Sequence, residues 1–262
     1  MLSNQVFNIF RKPQNDESIQ KVEWRTYYPY VKSFRNNDVI EIDINQSDAY
    51  DALYDSLLFI SGTVERIKGD GRATFVNNAG DFMFQSATYE QNGKELEAVR
   101  EVGIVSTVRG FLTYTDEDIK HLAISGWTYP NSFGIIQTTF LTFNILIPVK
   151  HFLNIFNDHQ CVSYGKHTIR LVRAGDDSNC FKIDETAGTV ASKTEVKLNI
   201  ENIELKVKRI FPHDQIKLQL LKAIQADSPI LIPFRKWELH MLPALTQGAK
   251  NEIWTVKNSS FL

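Results

Sequence analysis

The stretch FRNNDVIEIDINQSDAYDALYDSLLFISGTV, residues 34–64, contains two apolar runs parted by an acidic, tyrosine-rich segment. Ile40, Ile42 and Ile44 alternate with Glu41 and Asp43. Side chains of an extended chain point to opposite faces with period two, so this run predicts a strand with one buried and one wet face. Asn45 to Ser56 carries Asp48, Asp51 and Asp55 with Tyr50 and Tyr54 between them, which is too polar for a core strand and predicts an ordered loop. From Leu57, LLFISGTVERI starts apolar in both phases and is half polar by Glu65 and Arg66, as in a strand that enters a core and leaves it. Two strands joined by a long loop, rather than a tight turn, suit a chain that crosses between the sheets of a Greek-key sandwich.

The same period recurs downstream. Gly69-Asp70-Gly71 tolerates positive φ and predicts a tight hairpin turn, with a strand resuming at Ala73. MFQSATYEQ (83–91) and KELEAV (94–99) flank Asn92-Gly93, the strongest short-range hairpin signal. Between Arg100 and Asn131 the pattern turns helical. Thr115 caps a helix whose first turn is Asp116, Glu117 and Asp118, with Ile119, Leu122 and Ala123 on one face and Gly126 ending it. Leu141, Phe143, Ile145 and Ile147 share a strand face that stops at Pro148. HFLNIFN, from His151, reads as a short helix or a turn, and YGKHTIRLVR (164–173) as a strand with Ile169 and Leu171 inward.

In EVKLNIENIELKVKRI (195–210) the apolar phase slips from Val196, Leu198 and Ile200 to Ile203, Leu205 and Val207. A β-bulge near Asn202 would keep one face buried, and so would a break between two strands. Asp214 is placed to cap a helix with Ile216, Leu220 and Ile224 at helical spacing. Residues 230–242 read as a strand that opposes Trp237, Leu239 and Met241 to Lys236, Glu238 and His240, and IWTVK, from Ile253, as the last one. The connections hold short helices, and strands and helices do not alternate. This predicts an all-β fold, an antiparallel two-sheet jelly-roll sandwich with short helices in the connecting loops. Residues 1–35 read as an N-terminal arm, and 36–262 as the sandwich domain with a helical insertion near 100–133.

A hydrophobic share of 43% with 23% charged residues is ordinary for a globular chain, and 262 residues suffice for one large β domain or two small ones. A net charge of -2 supplies no global field for a polyanion, so no strong nucleic-acid binding is expected. No run approaches the ~20 apolar residues that span a bilayer, and MLSNQVFNIFRKPQND lacks the apolar core of a secretory signal. No membrane partner is expected. Cys161 and Cys180 allow at most one disulfide, and free thiols are the expectation.

Metal enzymes built on jelly rolls need His-x-His on a strand plus a carboxylate, and no His-x-His occurs. His151, His159 and Cys161 cluster, but at a spacing that fits no common zinc site. Asp176-Asp177 and the Asp48–Asp55 segment lack the odd-position spacing of a calcium loop. There is no G-x-S-x-G, Walker loop or G-x-G-x-x-G. Neither catalysis nor a cofactor is expected. The aromatic load at the two ends remains: Trp24, Tyr27, Tyr28 and Tyr30, then Trp237, Trp254 and Phe261. Core and sheet packing accounts for Trp237 and Trp254 better than an interface does, whereas for the amino-terminal cluster an interface accounts at least as well. Aromatic residues are favoured anchors where surfaces meet, so these seven are the candidate assembly interface. The chain stops at Phe261-Leu262 straight after a strand, and a partner or a further segment is expected there.

Specific runs also carry a resemblance. NNDVIEI (36–42), FVNNAG (75–80), YEQNGKEL (89–96), REVGIVSTVRG (100–110), SGW (125–127), YGKHTIRLVR (164–173), SPILIPFRKWEL (228–239) and WTVK (254–257) occur in this order. Together they resemble the double jelly-roll major-capsid-like proteins of adintovirus and polinton-type DNA viruses and their integrated arthropod relatives. The likeness lies in order and spacing over roughly residues 25–260. The resemblance implies a non-catalytic building block that trimerises and tiles a shell. It also implies a virion component made in the host cytoplasm, with assembly there or in the nucleus. The family carries two jelly rolls, and this chain holds the first, with its end open to being the start of the second. The implied partner is another copy, or a chain that supplies the second jelly roll. The other reading is a domesticated host sandwich domain that binds glycan or protein through its loops.

On these grounds Ile42→Asp puts a charge into the core and abolishes solubility, whereas Asp51→Ala in the expected loop is nearly silent; solubility and thermal melts of the two variants check the assignment of faces.

Overall fold

A computed structural model describes residues 18–45, 49–127, 133–136, 140–185, 193–226 and 230–241. Its strands, in chain order, are β1 (Ile19–Tyr27), β2 (Val39–Asn45), β3 (Tyr50–Lys68), β4 (Arg72–Phe75), β5 (Phe84–Gln91), β6 (Lys94–Arg100), β7 (Phe133–Ile136), β8 (Phe140–Pro148), β9 (Lys166–Arg173), β10 (Phe181–Asp184) and β11 (Glu195–Pro212). Helices α1 (Ala79–Phe82), α2 (Val102–Thr113), α3 (Asp116–Leu122), α4 (Ile155–Asp158) and α5 (Asp214–Gln225) lie in the connections. Two four-stranded antiparallel sheets, ordered β1-β11-β3-β8 and β2-β9-β5-β6, are joined by a three-stranded sheet, β10-β4-β7. The expected all-β sandwich with helices in its connections is the fold observed.

The period-two faces meet in one core. Ile40, Ile42 and Ile44 from β2, Tyr89 from β5 and Ile169 and Leu171 from β9 pack in one cluster with Leu58 and Ile60 from β3, Ile145 and Ile147 from β8, and Ile203, Leu205 and Val207 from β11. Each such side chain contributes about 1.5–3 kcal/mol on burial. The slip in β11 is a bulge, since its pairing with β3 shifts between Ile200 and Asn202 and the strand continues unbroken.

The acidic segment behaves differently from its expectation as a loop. β3 already begins at Tyr50, and its ladder with β11 runs Ile210↔Tyr50, Arg209↔Asp51 and Lys208↔Ala52, then resumes at Lys206↔Leu57. Only Leu53–Ser56 leaves the register, closed by a hydrogen bond that Ser56 Oγ donates to the Leu53 carbonyl. The strand tolerates Asp51 because a buried arginine lies opposite. Arg209 is 2% and Asp51 1% exposed, 3.8 Å apart, and Glu23 of β1 sits 3.5 Å from the other side of the guanidinium.

Two turn expectations part ways. Asn92-Gly93 forms the β5–β6 hairpin, with φ of 51° and 79°, the positive values that a type I′ turn demands. Gly69 also has positive φ, 75°, but β4 pairs with β10 and β7, so this turn passes the chain to the third sheet and makes no hairpin. α3 starts as its residues indicate: Thr115 Oγ1 accepts from Asp118 N–H at 3.3 Å while Asp118 Oδ2 accepts from Thr115 N–H at 2.9 Å. α5 is capped at His213 rather than Asp214. In residues 230–241 Ile232, Phe234, Trp237 and Leu239 are half-buried against the core, so the buried side changes parity after Phe234, and Met241, expected beside Trp237 and Leu239, is exposed; the segment joins no ladder among the described residues. Pro233 has no N–H to give, and the N–H of Arg235 is committed to Asp158 at 2.9 Å. Ile19–Tyr27, inside the segment expected as an arm, runs antiparallel along β11 as an edge strand. IWTVK lies outside the described residues.

Buried polar ties fix the helical insertion and α4 to the sandwich. Arg109 of α2 donates to the carbonyls of His151 and Lys150 at 3.1 and 2.9 Å. Glu97 of β6 accepts from the N–H groups of Asn154 and Ile155 at 3.1 and 2.8 Å, and Asn154 Nδ2 donates to the Arg235 carbonyl at 2.7 Å. Burial raises the Glu97 carboxyl to about 7, outweighing the two N–H bonds and the pull of Arg109 and Lys236.

Two outcomes follow from these buried charges. Asp51→Ala removes one partner of Arg209 and is expected to cost roughly 2–4 kcal/mol in chemical denaturation, contrary to its reading as a loop position. Glu97 has a folded-state pKa above its unfolded one, so its stabilising contribution is full below about pH 4.5 and is lost as pH rises to about 7. Relative to Glu97→Gln, the wild-type chain therefore weakens over that window by on the order of 3 kcal/mol and is flat above it; denaturant melts of both at pH 5 and pH 8 measure the difference.

Candidate assembly surface

β1 forms one flank of the larger sheet, and its two faces differ. Lys21, Glu23, Arg25 and Tyr27 share the face of their register partners Phe211, Arg209, Val207 and Leu205. Lys21 Nζ lies 2.6 Å from Glu23 Oε2, which prolongs the ionic line through Arg209 to Asp51. Val22, Trp24 and Thr26 face the opposite way, and Trp24 is 55% exposed. Tyr28 and Tyr30 continue the exposed aromatic run, Tyr30 at 74%. Tyr30 is oriented all the same: its hydroxyl donates to Asp43 Oδ2 at 3.1 Å. Burial alone would raise the Asp43 carboxyl, but bonds from Lys166, Thr168 and Tyr30 outweigh it and hold the group below the ordinary range.

The seven aromatic candidates thus fall into three sets. Trp24, Tyr28 and Tyr30 lie on the surface, Tyr27 and Trp237 pack half-buried on the core, and Trp254 and Phe261 lie outside the described residues. Trp237 lines a groove with Arg109, Tyr114 and His151 at the base of the insertion.

A second exposed patch escaped the sequence reading. α2 buries Val102, Val105, Ser106 and Arg109, which leaves Val108, Phe111 and Leu112 exposed on its outer side. Their spacing at i, i+3 and i+4 is the signal in the sequence that marks them. α5 buries none of its residues, and Leu220 and Ile224 line an apolar groove with Tyr50, Leu53, Phe156 and Tyr164.

Reactive side chains are dispersed. His151 is buried, and burial pushes its pKa down to about 3, while His159 and Cys161 line the groove beside α5. Among the described residues no three metal-ligating side chains converge. Asp176 accepts from Ser178, and Asp177 pairs with the buried Arg173 at 2.8 Å, so both carboxylates order the turn they sit in. Cys161 is exposed and Cys180 buried, and both are free thiols.

Comparison with known proteins places this geometry. No curated protein matches the sequence. Among solved structures, the Faustovirus major capsid protein superposes with a TM-score of 0.58 at 12% identity, over 82% of this chain and 58% of that one. A structure of the Sputnik virophage gives a TM-score of 0.56 at 10% identity, over 78% of this chain and 50% of that one. At such identities the likeness is one of fold, and the chain spans about half the length of the proteins it matches. The model of the double jelly roll-like domain matches residues 73–262, well over half of the sequence. With its two facing antiparallel sheets and helices confined to the connections, the chain belongs to the double jelly roll-like domain family.

Proposed function

We propose that this chain is a viral capsid-type structural protein that acts by self-association, as a trimer or other shell building block, and carries out no catalysis. The observation that supports this most is the stripe of exposed apolar side chains Val108, Phe111 and Leu112 along one side of α2. Isolated exposed apolar side chains are ordinary, but contiguous ones on ordered elements mark contact surfaces. The fold shared with the Faustovirus major capsid protein agrees with this reading. The proposed neighbour of this sandwich is a second copy or a second jelly roll. The location that goes with this role is the virion.

Size-exclusion chromatography with light scattering and negative-stain microscopy of purified protein test it. Trimers or larger regular assemblies are expected, and Leu112→Asp on the α2 stripe is expected to reduce their mass without lowering the melting temperature. A strict monomer at high concentration, unchanged by adding a second jelly roll, contradicts the proposal, as does saturable glycan binding by such a monomer.

A further inference from the structure

The groove at the base of the insertion has a volume of about 480 Å³ and lies between α2, α3, the turn Val149–His151, α4 and the segment 230–241. Its polar groups are unevenly matched. The carbonyls of Lys150 and His151 take both Nη groups of Arg109, and Asp118 Oδ2 takes the N–H and the hydroxyl of Thr115 at 2.9 and 2.7 Å. Several donors on the same walls have nothing to give to. Lys150 Nζ, the Tyr114 hydroxyl and Trp237 Nε1 make no hydrogen bond among the described residues. The same holds for the ring of His151, although that residue is only 3% exposed. A buried polar group left without a partner costs about 1–3 kcal/mol, so a concave site with spare donors is suited to a ligand rich in acceptors.

We propose that this groove binds a small molecule that joins an oxyanion, a phosphate or a carboxylate, to a flat apolar ring. The oxyanion sits at Lys150, His151 and the Tyr114 hydroxyl, and the ring lies against Trp237 beside Leu122 and Pro148. Charge agrees with this. Burial lowers the His151 ring, and the positive charges of Arg109 and Lys150 lower it further, so the imidazole is neutral at pH 7 and offers one N–H. Burial also raises the Tyr114 hydroxyl above its ordinary range, which keeps it a donor. Arg235, on the rim, is already neutralised by Asp158 at 2.9 Å. The opposing charge on the lining is Asp118, which is bound to the cap of its own helix. The volume falls within the range of small-molecule sites and exceeds what a lone anion fills, which leaves room for the ring. This site goes beyond the self-association reading and does not depend on it.

Calorimetric titration of the full chain tests the site, with inorganic phosphate, phenyl phosphate, benzoate and, as the neutral control, benzyl alcohol. Phenyl phosphate or benzoate is expected to saturate one site per chain, about tenfold tighter than inorganic phosphate, and which of the two binds tells phosphate from carboxylate. Benzyl alcohol is expected not to saturate. Lys150→Gln and Tyr114→Phe should each weaken the anion about tenfold, the size of one hydrogen bond to a charged group. Lys120→Gln, outside the groove, should leave it unchanged. Circular dichroism melts establish that the variants fold; should Tyr114→Phe fail to, Lys150→Gln decides. No saturation by either ring-bearing anion overturns the proposal, as does saturation that a folded Lys150→Gln leaves unchanged. Inorganic phosphate binding as tightly as phenyl phosphate overturns the placing of a ring at Trp237. Binding is read per chain, so a monomer that binds supports this site while contradicting the capsid reading.

Discussion

The two sheets hold together only while β3 and β11, strands of nineteen and eighteen residues, keep their apolar faces toward the core. A one-residue slip in such a ladder turns every following side chain to the wrong face. Both strands carry irregularities that preserve the phase. Near Asn202 a bulge re-aligns β11 after its apolar positions change parity, and Leu53–Ser56 leaves the ladder so that Asp51 again faces Arg209 on the side of the core. The sandwich, the ionic line to Glu23 and the position of β1 all follow from that phase being kept.

The ionic line is the costliest part of this arrangement. Asp51 and Arg209 are almost wholly removed from water, and isolated charges there would be prohibitive. Glu23 and Lys21 carry the line outward to the edge, where water screens it. Such a chain of alternating charge does little for net stability but forbids alternatives, since any other pairing of β1 with β11 would leave Arg209 facing the wrong partner. The insertion is held by Arg109, which donates to the His151 and Lys150 carbonyls, while Val108 and Leu112 stay exposed on the outer side of α2.

Much of this was legible from period-two patterning and turn chemistry. Ile40, Ile42 and Ile44, the Asn92-Gly93 hairpin, the Thr115 cap and the slip at Asn202 are local signals, and local signals survive without tertiary context. Asp51 was misread because its partner lies 158 positions away in sequence, and nothing near it announces a buried arginine. Gly69 signalled a turn, but positive φ does not specify which strand comes next. Residues 230–241 join no ladder among the described residues, because apolar spacing reports a half-buried face and says nothing about a neighbouring edge. Of the aromatic candidates, Trp237 was split between two readings that composition cannot separate, and its packing on the core is visible only in three dimensions.

β3 and β11, gripped between the neighbouring strands and the facing sheet, form the unit whose opening unfolds the domain. Amide hydrogen exchange under native conditions measures that directly. Amides of Ile60, Ile145, Leu205 and Ile169 should exchange slowest and with one common free energy, while those of α5, which buries nothing, exchange many orders faster. Protection in β3 and β11 no greater than in α5, or separate free energies for the two sheets, would contradict it.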